Sequence, residues 1–295
     1  MGLEIRDERL LRLVGADPDV VLVATGFAFT EGPVWDPGSG SLTFSDIIGD
    51  TLHRWSEGAG IEVLRRPSGH ANGNALDRQG RLLTCEHGTR MVTRTEPDGT
   101  RTVLAHRHDG AELNSPNDLV IARDGTIWFT DPTYGRTERW GVPAEPELDV
   151  RAVYRIDPDG SLHQETATTD FVQPNGLALS LDGTVLFVDD TDGGHIRRFT
   201  IGADRVLADG EVWCELTGTG DGAPDGMKLD EAGNVWCTGP GGVHVVAADG
   251  TSLGVLSAPE APANLGWGGP GRRDLFLTAR TSVYRVRTLV AGAST

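Results

Sequence analysis

The amino-acid sequence predicts an all-β fold, a six-bladed β-propeller, on three observations. A short unit recurs six times: Glu31-Gly32-Pro33-Val34-Trp35-Asp36, Asn72-Gly73-Asn74-Ala75-Leu76-Asp77, Asn117-Asp118-Leu119-Val120, Asn175-Gly176-Leu177-Ala178-Leu179, Asp225-Gly226-Met227-Lys228-Leu229-Asp230 and Asn264-Leu265-Gly266-Trp267. Successive copies lie roughly 40 to 60 residues apart, the length of one blade or one array unit. The connections carry hairpin chemistry: Asp98-Gly99, Asp124-Gly125, Asp159-Gly160, Asp182-Gly183 and Asp249-Gly250 are all Asp-Gly pairs, and no long helical period intervenes. An open stack of hairpins would leave two sheet edges exposed, so six such units are expected to close into a ring.

Taken in order, residues 3 to 14 are expected to form a short helical lead-in, with Leu10, Leu11, Leu13 and Val14 set among charges. The β-branched run Val20 to Thr25 precedes the first full copy. It is expected to complete the last blade beside Ser282-Val283-Tyr284-Arg285-Val286 and so lock the circle. Near-alternating stretches at Thr51 to Trp55, Met91 to Thr95, Ala152 to Ile156 and His195 to Phe199 read as outer strands. Pro132 to Val150 has no strand pattern, and a loop of that length in a compact domain is more often a lid or binding loop than a connector. The chain is thus expected to be one domain over residues 1–295: lead-in 1–19, propeller 20–288 and tail 289–295.

Charge excludes some partners. A net charge of −17, from 43 acids against 26 bases, comes with no basic stripe, so neither nucleic acid nor an anionic membrane is an expected partner. Met1 to Leu13 lacks the apolar core of a signal peptide, and no window reaches membrane-spanning length. Cys85, Cys214 and Cys237 have no metal spacing and leave one thiol over in any pairing. Buried thiols in a reducing cytoplasm are therefore expected. The protein is expected to be a monomer or dimer.

The residues heading the six inner strands are Glu31, Asn72, Asn117, Asn175, Asp225 and Asn264. All carry a side-chain oxygen, and four of the seven asparagines in the chain fall in this one register. Inner strands of a propeller surround its channel, so these oxygens would converge on one rim, the ligand set of a hard divalent cation. Glu31 and Asp225 would offset its charge, and no cysteine or paired histidine competes for a softer metal. Turn chemistry also places Asn or Asp before Gly. That competing explanation is strongest for Asn72 and Asn264 and weakest for Glu31. A second register, Asp46, Glu86, Asp131 and Asp189, is expected to form an outer tier of acids able to orient ligands or take a proton, unless these are solvated strand ends. His87 and His70 are further candidates for proton transfer or substrate contact.

Glu31-Gly32-Pro33-Val34-Trp35, Ser115-Pro116-Asn117-Asp118, Trp128-Phe129-Thr130-Asp131-Pro132, Pro174-Asn175-Gly176-Leu177 and Pro224-Asp225-Gly226-Met227 resemble the motifs of the gluconolactonase and regucalcin (senescence marker protein) family. Cys85-Glu86-His87-Gly88 and Ala144-Glu145-Pro146-Glu147-Leu148 are similar to its bacterial gluconolactonase branch. The resemblance spans about Gly26 to Arg280 and implies a six-bladed propeller with a metal site at one end of the channel. It implies metal ligands at Glu31, Asn175 and Asp225, with Asn117 at the metal or the sugar, and calcium as the ion, with zinc or manganese as alternatives. Regucalcin carries an arginine to grip substrate where this chain has Ser115. The loop from Tyr134 to Glu147 is then expected to supply that grip, with Ser115, Asn72, His87 and Tyr134 as substrate contacts.

The implied chemistry is hydrolysis of a small-molecule sugar lactone. A divalent ion polarises the carbonyl and a carboxylate takes a proton from water: Asp225 first, with Asp131 or Asp189 in reserve. Two rival readings remain at this stage. One is a phosphotriesterase of the diisopropylfluorophosphatase or paraoxonase type, and the other a non-catalytic calcium-binding propeller or interaction scaffold.

Overall fold

The computed structural model describes residues 2–294 and is built almost wholly from antiparallel strands. Six sheets form the blades, each running from the channel outwards. The first holds Thr30–Asp36, Ser41–Asp46, Thr51–Ser56 and Gly60–Arg65, and the second Ala71–Leu76, Leu82–Glu86, Met91–Thr95 and Arg101–Ala105. The third holds Leu119–Ile121, Ile127–Asp131, Ala152–Ile156 and Leu162–Gln164, and the fourth Pro174–Leu179, Val185–Asp190, His195–Ile201 and Leu207–Glu215. Met227–Leu229, Val235–Gly239, Gly242–Val246 and Ser252–Leu256 make the fifth, with Asn264–Gly268, Asp274–Ala279 and Ser282–Arg287 in the sixth.

Val20–Thr25 supplies the fourth strand of the sixth blade, as the sequence predicts, with Val20 opposite Val286 and Thr25 opposite Ser282. The N-terminal strand therefore latches the ring by the same ladder that builds each blade. Deleting residues 1–26 exposes the edge of Ser282–Arg287 and is expected to lower the melting temperature by about 10 °C or more; an unchanged melting curve would overturn the latch.

The lead-in differs from expectation. Only Arg9–Val14 is helical, started by the Asp7 carboxylate accepting the Arg9 N–H at 2.8 Å, and it buries Leu10 and Val14. Leu3–Ile5 is instead a fifth strand on the outside of the fifth blade, paired with Gly254–Leu256. The missing side chain at Gly254 admits the Glu4 carbonyl there, a tertiary contact that local pattern cannot show. The tail packs inward too: Ala293 donates to the Leu229 carbonyl at 3.0 Å and Gly292 bridges Asp230. No helix among the described residues is long and apolar enough to cross a membrane.

The core is divided into wedges between neighbouring blades. Trp236 meets Trp267 edge-to-face at 5.2 Å between the fifth and sixth blades, and Trp35 stacks on Phe276 at 5.4 Å between the first and sixth. Four such apolar wedges join blades two to six in succession, and a fifth closes six on one. The joint between blades one and two is polar instead. There Asn74 Nδ2 donates to Gly32 O and Ser45 Oγ, each at 2.9 Å, and Arg65 pairs with the buried Glu86 at 3.0 Å.

Candidate active site

Glycine contact between blades sets the rim. A Cβ on Gly32 would strike the Asn72 carbonyl, one on Gly73 would lie 2.6 Å from Asn117 O, one on Gly176 would strike Asp225 O and one on Gly226 would strike Asn264. Each of these glycines follows or lies beside one head residue and touches the head of the next blade, so the heads are drawn side by side. Gly32 alone of the four also has a positive φ, +51°. Close approach, rather than turn geometry, therefore accounts for Gly73, Gly176 and Gly226. Hydroxyls reinforce the ring: Ser45 Oγ donates to Asn72 O at 2.6 Å and Thr130 Oγ1 to Asn175 O at 2.7 Å.

Within this ring, Glu31 is buried and its Oε2 accepts from Gly32 N at 2.6 Å and Asn264 Nδ2 at 2.8 Å. Its Oε1 is buried with no hydrogen-bond partner among the described residues. Asp118, also buried, lies 3.4 Å from the same Asn264 Nδ2 through Oδ2. Burial, and then the Asp118 charge, push the Glu31 carboxyl up to about 7. Asp225 is half-buried, and burial, Glu31, Asp189 and Asp118 push it well above the usual carboxylate range. Four carboxylates thus share one poorly solvated place, with an orphaned oxygen on Glu31. That arrangement suits a divalent cation. No group of three or more His, Cys, Asp or Glu is placed to hold a metal among the described residues, so a cation here would need amide oxygens as well. Asn175 and Asn117, both buried on the same rim, are the amides available, and Asn175 Nδ2 is tied to Thr191 Oγ1 at 2.9 Å.

The outer tier is corrected by the structure. Asp46 caps Ala28, Phe29 and Gly49 N–H groups, and Glu86 is held by Arg65, Arg101, Thr89 and Thr93. Asp131 takes Asn114 N and Ser115 N at 2.8 Å each, so both its oxygens are committed and it does not face the cluster. The fourth member of this tier is Asp190, which pairs with Pro174 and caps Val172, Gln173 and Gly193. Asp189 sits one position earlier, where the other blades carry Ser45, Cys85, Thr130, Thr238 and Thr278. It is the one acid facing the channel from that register. Its Oδ1 has no partner among the described residues, Cys237 Sγ lies 3.7 Å from its Oδ2, and burial pushes it well up.

Ser115 is corrected as well. It is fully buried, and its hydroxyl donates to Pro132 O at 2.6 Å while accepting from Gly135 N at 3.0 Å, so it anchors the long loop and its one proton is not free for substrate. Arg136 pins the same loop through the carbonyls of Leu113, Asn114 and Glu145 at 2.7 to 2.8 Å. Trp140 then packs edge-to-face on Phe29 of the first blade at 4.6 Å, so the loop roofs the ground between blades three and one. Tyr134, at the start of this loop, is half-buried, and burial and the nearby Asp192, Asp225 and Asp189 charges push its phenol up, keeping it a neutral donor. His70 holds a turn through Ile47 O at 2.9 Å.

His87 links roof and rim. Its Nδ1 lies 3.0 Å from the Trp140 carbonyl and its Nε2 3.0 Å from Asn72 Nδ2, so Nδ1 donates, Nε2 accepts, and the ring is neutral. Asn72 Oδ1 is then buried without a partner among the described residues. Burial lowers His87 from 6.5 to about 4. The unfolded chain binds this proton more readily than the folded one, so stability from His87 is full above about pH 6.5 and is lost as pH falls towards 4. His87→Gln, whose amide offers the same acceptor and donor, is expected to remove up to about 3 kcal/mol of that acid-side loss. Urea denaturation from pH 7 to 4 checks it, and an unchanged pH slope would overturn it.

Fold and site together mark the class: a six-bladed propeller with buried carboxylates and amides at the heads of its inner strands. Residues 29–281 match the SMP-30/Gluconolactonase/LRE-like region, and the chain belongs to this family. It is 32% identical to a gluconolactonase of Zymomonas mobilis across 96% of this chain and 85% of that protein. It is 27% identical to a pentonolactonase of Haloferax volcanii across 87% of this chain and 83% of the other. The solved structure of a gluconolactonase from Xanthomonas campestris superposes with a TM-score of 0.90 at 36% identity, covering 98% of this chain and 95% of that one.

One acid of the cluster, Asp118, was not singled out from the sequence. It reads as the first residue of an inner strand. The signal for the channel-facing acid was present: an acid stands at Asp189 where aligned copies have a hydroxyl or thiol.

Proposed function

We propose that the chain is a divalent-metal-dependent lactonase acting on sugar lactones. The observation that carries the reading is the buried, unpartnered Oε1 of Glu31 among the Asp118, Asp189 and Asp225 carboxylates. Glu31, Asn175 and Asp225 would hold the ion, with Asn117 beside them, and calcium suits such an all-oxygen set, with zinc or manganese as substitutes. Bound there, the cation would act as a Lewis acid on the lactone carbonyl and on water.

The chain's own groups do the rest. Asp225, half-buried and close enough to Glu31 and Asp189 to feel their charge, is the first choice to accept the proton of the attacking water, with Asp189 in reserve. Asp131 is dropped from that role because two backbone N–H groups occupy its oxygens. Asn72, held by His87, is left with Oδ1 to accept a substrate hydroxyl. Tyr134 offers a neutral hydroxyl from the roof. The relatives' names, a gluconolactonase and a pentonolactonase, support a polyhydroxylated lactone as substrate.

Stripped protein should be assayed with each cation restored in turn, against five- and six-membered sugar lactones and paraoxon. Lactone turnover that vanishes with chelator and returns with a cation is the expected result. Absence of lactone turnover with every cation, or turnover of paraoxon alone, would overturn the reading.

A further inference from the structure

Lysine occurs once in this chain; the other 25 of its 26 Lys and Arg residues are arginine. That single lysine, Lys228, lies on the inner strand of the fifth blade, three residues beyond Asp225. Its Nζ donates to Met227 O at 2.9 Å and stands 3.7 Å from Asp118 Oδ2. Asp118 in turn lies 3.4 Å from Asn264 Nδ2, which donates to Glu31 Oε2 at 2.8 Å. A continuous chain of contacts therefore joins Lys228, Asp118, Asn264 and Glu31, and it ends on the carboxylate whose other oxygen is open. An ammonium is a compact point charge, whereas guanidinium is a broad planar fork.

We propose that Lys228 is a tethered counter-cation of the channel, whose ammonium, held beside Asp118, offsets part of the carboxylate charge while the divalent ion is absent. The inference rests on the metal-dependent reading above. Glu31, Asp118, Asp189 and Asp225 carry four negative charges when ionised; one ammonium and one divalent ion offset three of them. The Lys228 charge also draws the Glu31 carboxyl downward, against the effect of burial. Without the lysine, the metal-free chain has four facing carboxylates and no built-in cation.

Lys228→Met keeps the stem and removes the charge. Metal-stripped Lys228→Met should melt several degrees below stripped wild type, and the gap should narrow when calcium is added. Calorimetry should show calcium bound about tenfold more tightly, since a repelling charge is gone. Adding Asp118→Asn to Lys228→Met should restore the stripped melting temperature, because charge and partner leave together. Equal losses with and without calcium, unchanged calcium affinity and no rescue would overturn the proposal.

Should Lys228→Met fail to fold, wild type still decides. With ε-13C-lysine the chain yields one lysine signal, which should move on adding calcium and also, without calcium, in Asp118→Asn. A signal that stays still in both overturns the role. If wild type binds no divalent cation at all, the metal reading fails, while rescue by Asp118→Asn tests the lysine separately.

Discussion

Glu31→Gln is expected to lower lactone turnover by about 10³-fold or more while the ring stays folded. The amide oxygen of glutamine can accept from Gly32 N and Asn264 Nδ2 as Oε2 does now. Its NH2 group then takes the place of Oε1 and would turn donors towards the proposed ion. Metal affinity falls with turnover, yet the stripped variant should melt no lower than stripped wild type, and higher above about pH 7, because one of the mutually repelling buried carboxylates is gone. Calorimetric metal titration beside steady-state kinetics checks both halves. Turnover retained in stripped Glu31→Gln would remove the site.

Gly32→Ala is expected to cost about 3 to 5 kcal/mol of stability. The new Cβ would meet the Asn72 carbonyl and lie 2.8 Å from Asn74 Nδ2, at a φ of +51° that alanine adopts poorly. Neither neighbour can withdraw, since Asn72 O also accepts from Ser45 Oγ at 2.6 Å and Asn74 Nδ2 at 2.9 Å. Gly99→Ala is the control. There φ is +83° but nothing lies within 4 Å of a Cβ, so only backbone strain of about 1 kcal/mol applies. Urea midpoints that fall equally in both variants would show that crowding between blades contributes little.

What recurs was legible in the sequence, and what is used once was not. The six head residues could be aligned because every blade must place a strand against the channel, and Val20–Thr25 could be matched to Ser282–Arg287 because closing a ring leaves one edge over. Asp189 was placed one residue off because two adjoining acids, Asp189 and Asp190, end that strand, and only the pairing of Pro174 with Asp190 shows which one closes it. Ser115 was assigned to substrate by analogy of position; its real partners, Pro132 and Gly135, lie across a loop with no period to read. Leu3–Ile5 is too short for its alternation to outweigh the helical pattern that follows. Lys228 and Asp118 carry opposite charges 110 positions apart, and only the closing of the ring makes them neighbours.

Dry wedges lock five of the six seams, so parting any of them would wet buried aromatic or aliphatic surface. The seam between the first two blades is stitched by amide, hydroxyl and guanidinium groups, which can trade one another for water at far lower cost. Breathing of the ring should begin there, and its amides should take up deuterium first. Trp140, reaching across to Phe29, spans that same seam like a strap, so any lifting of the roof and the loosening of the ring would share one hinge.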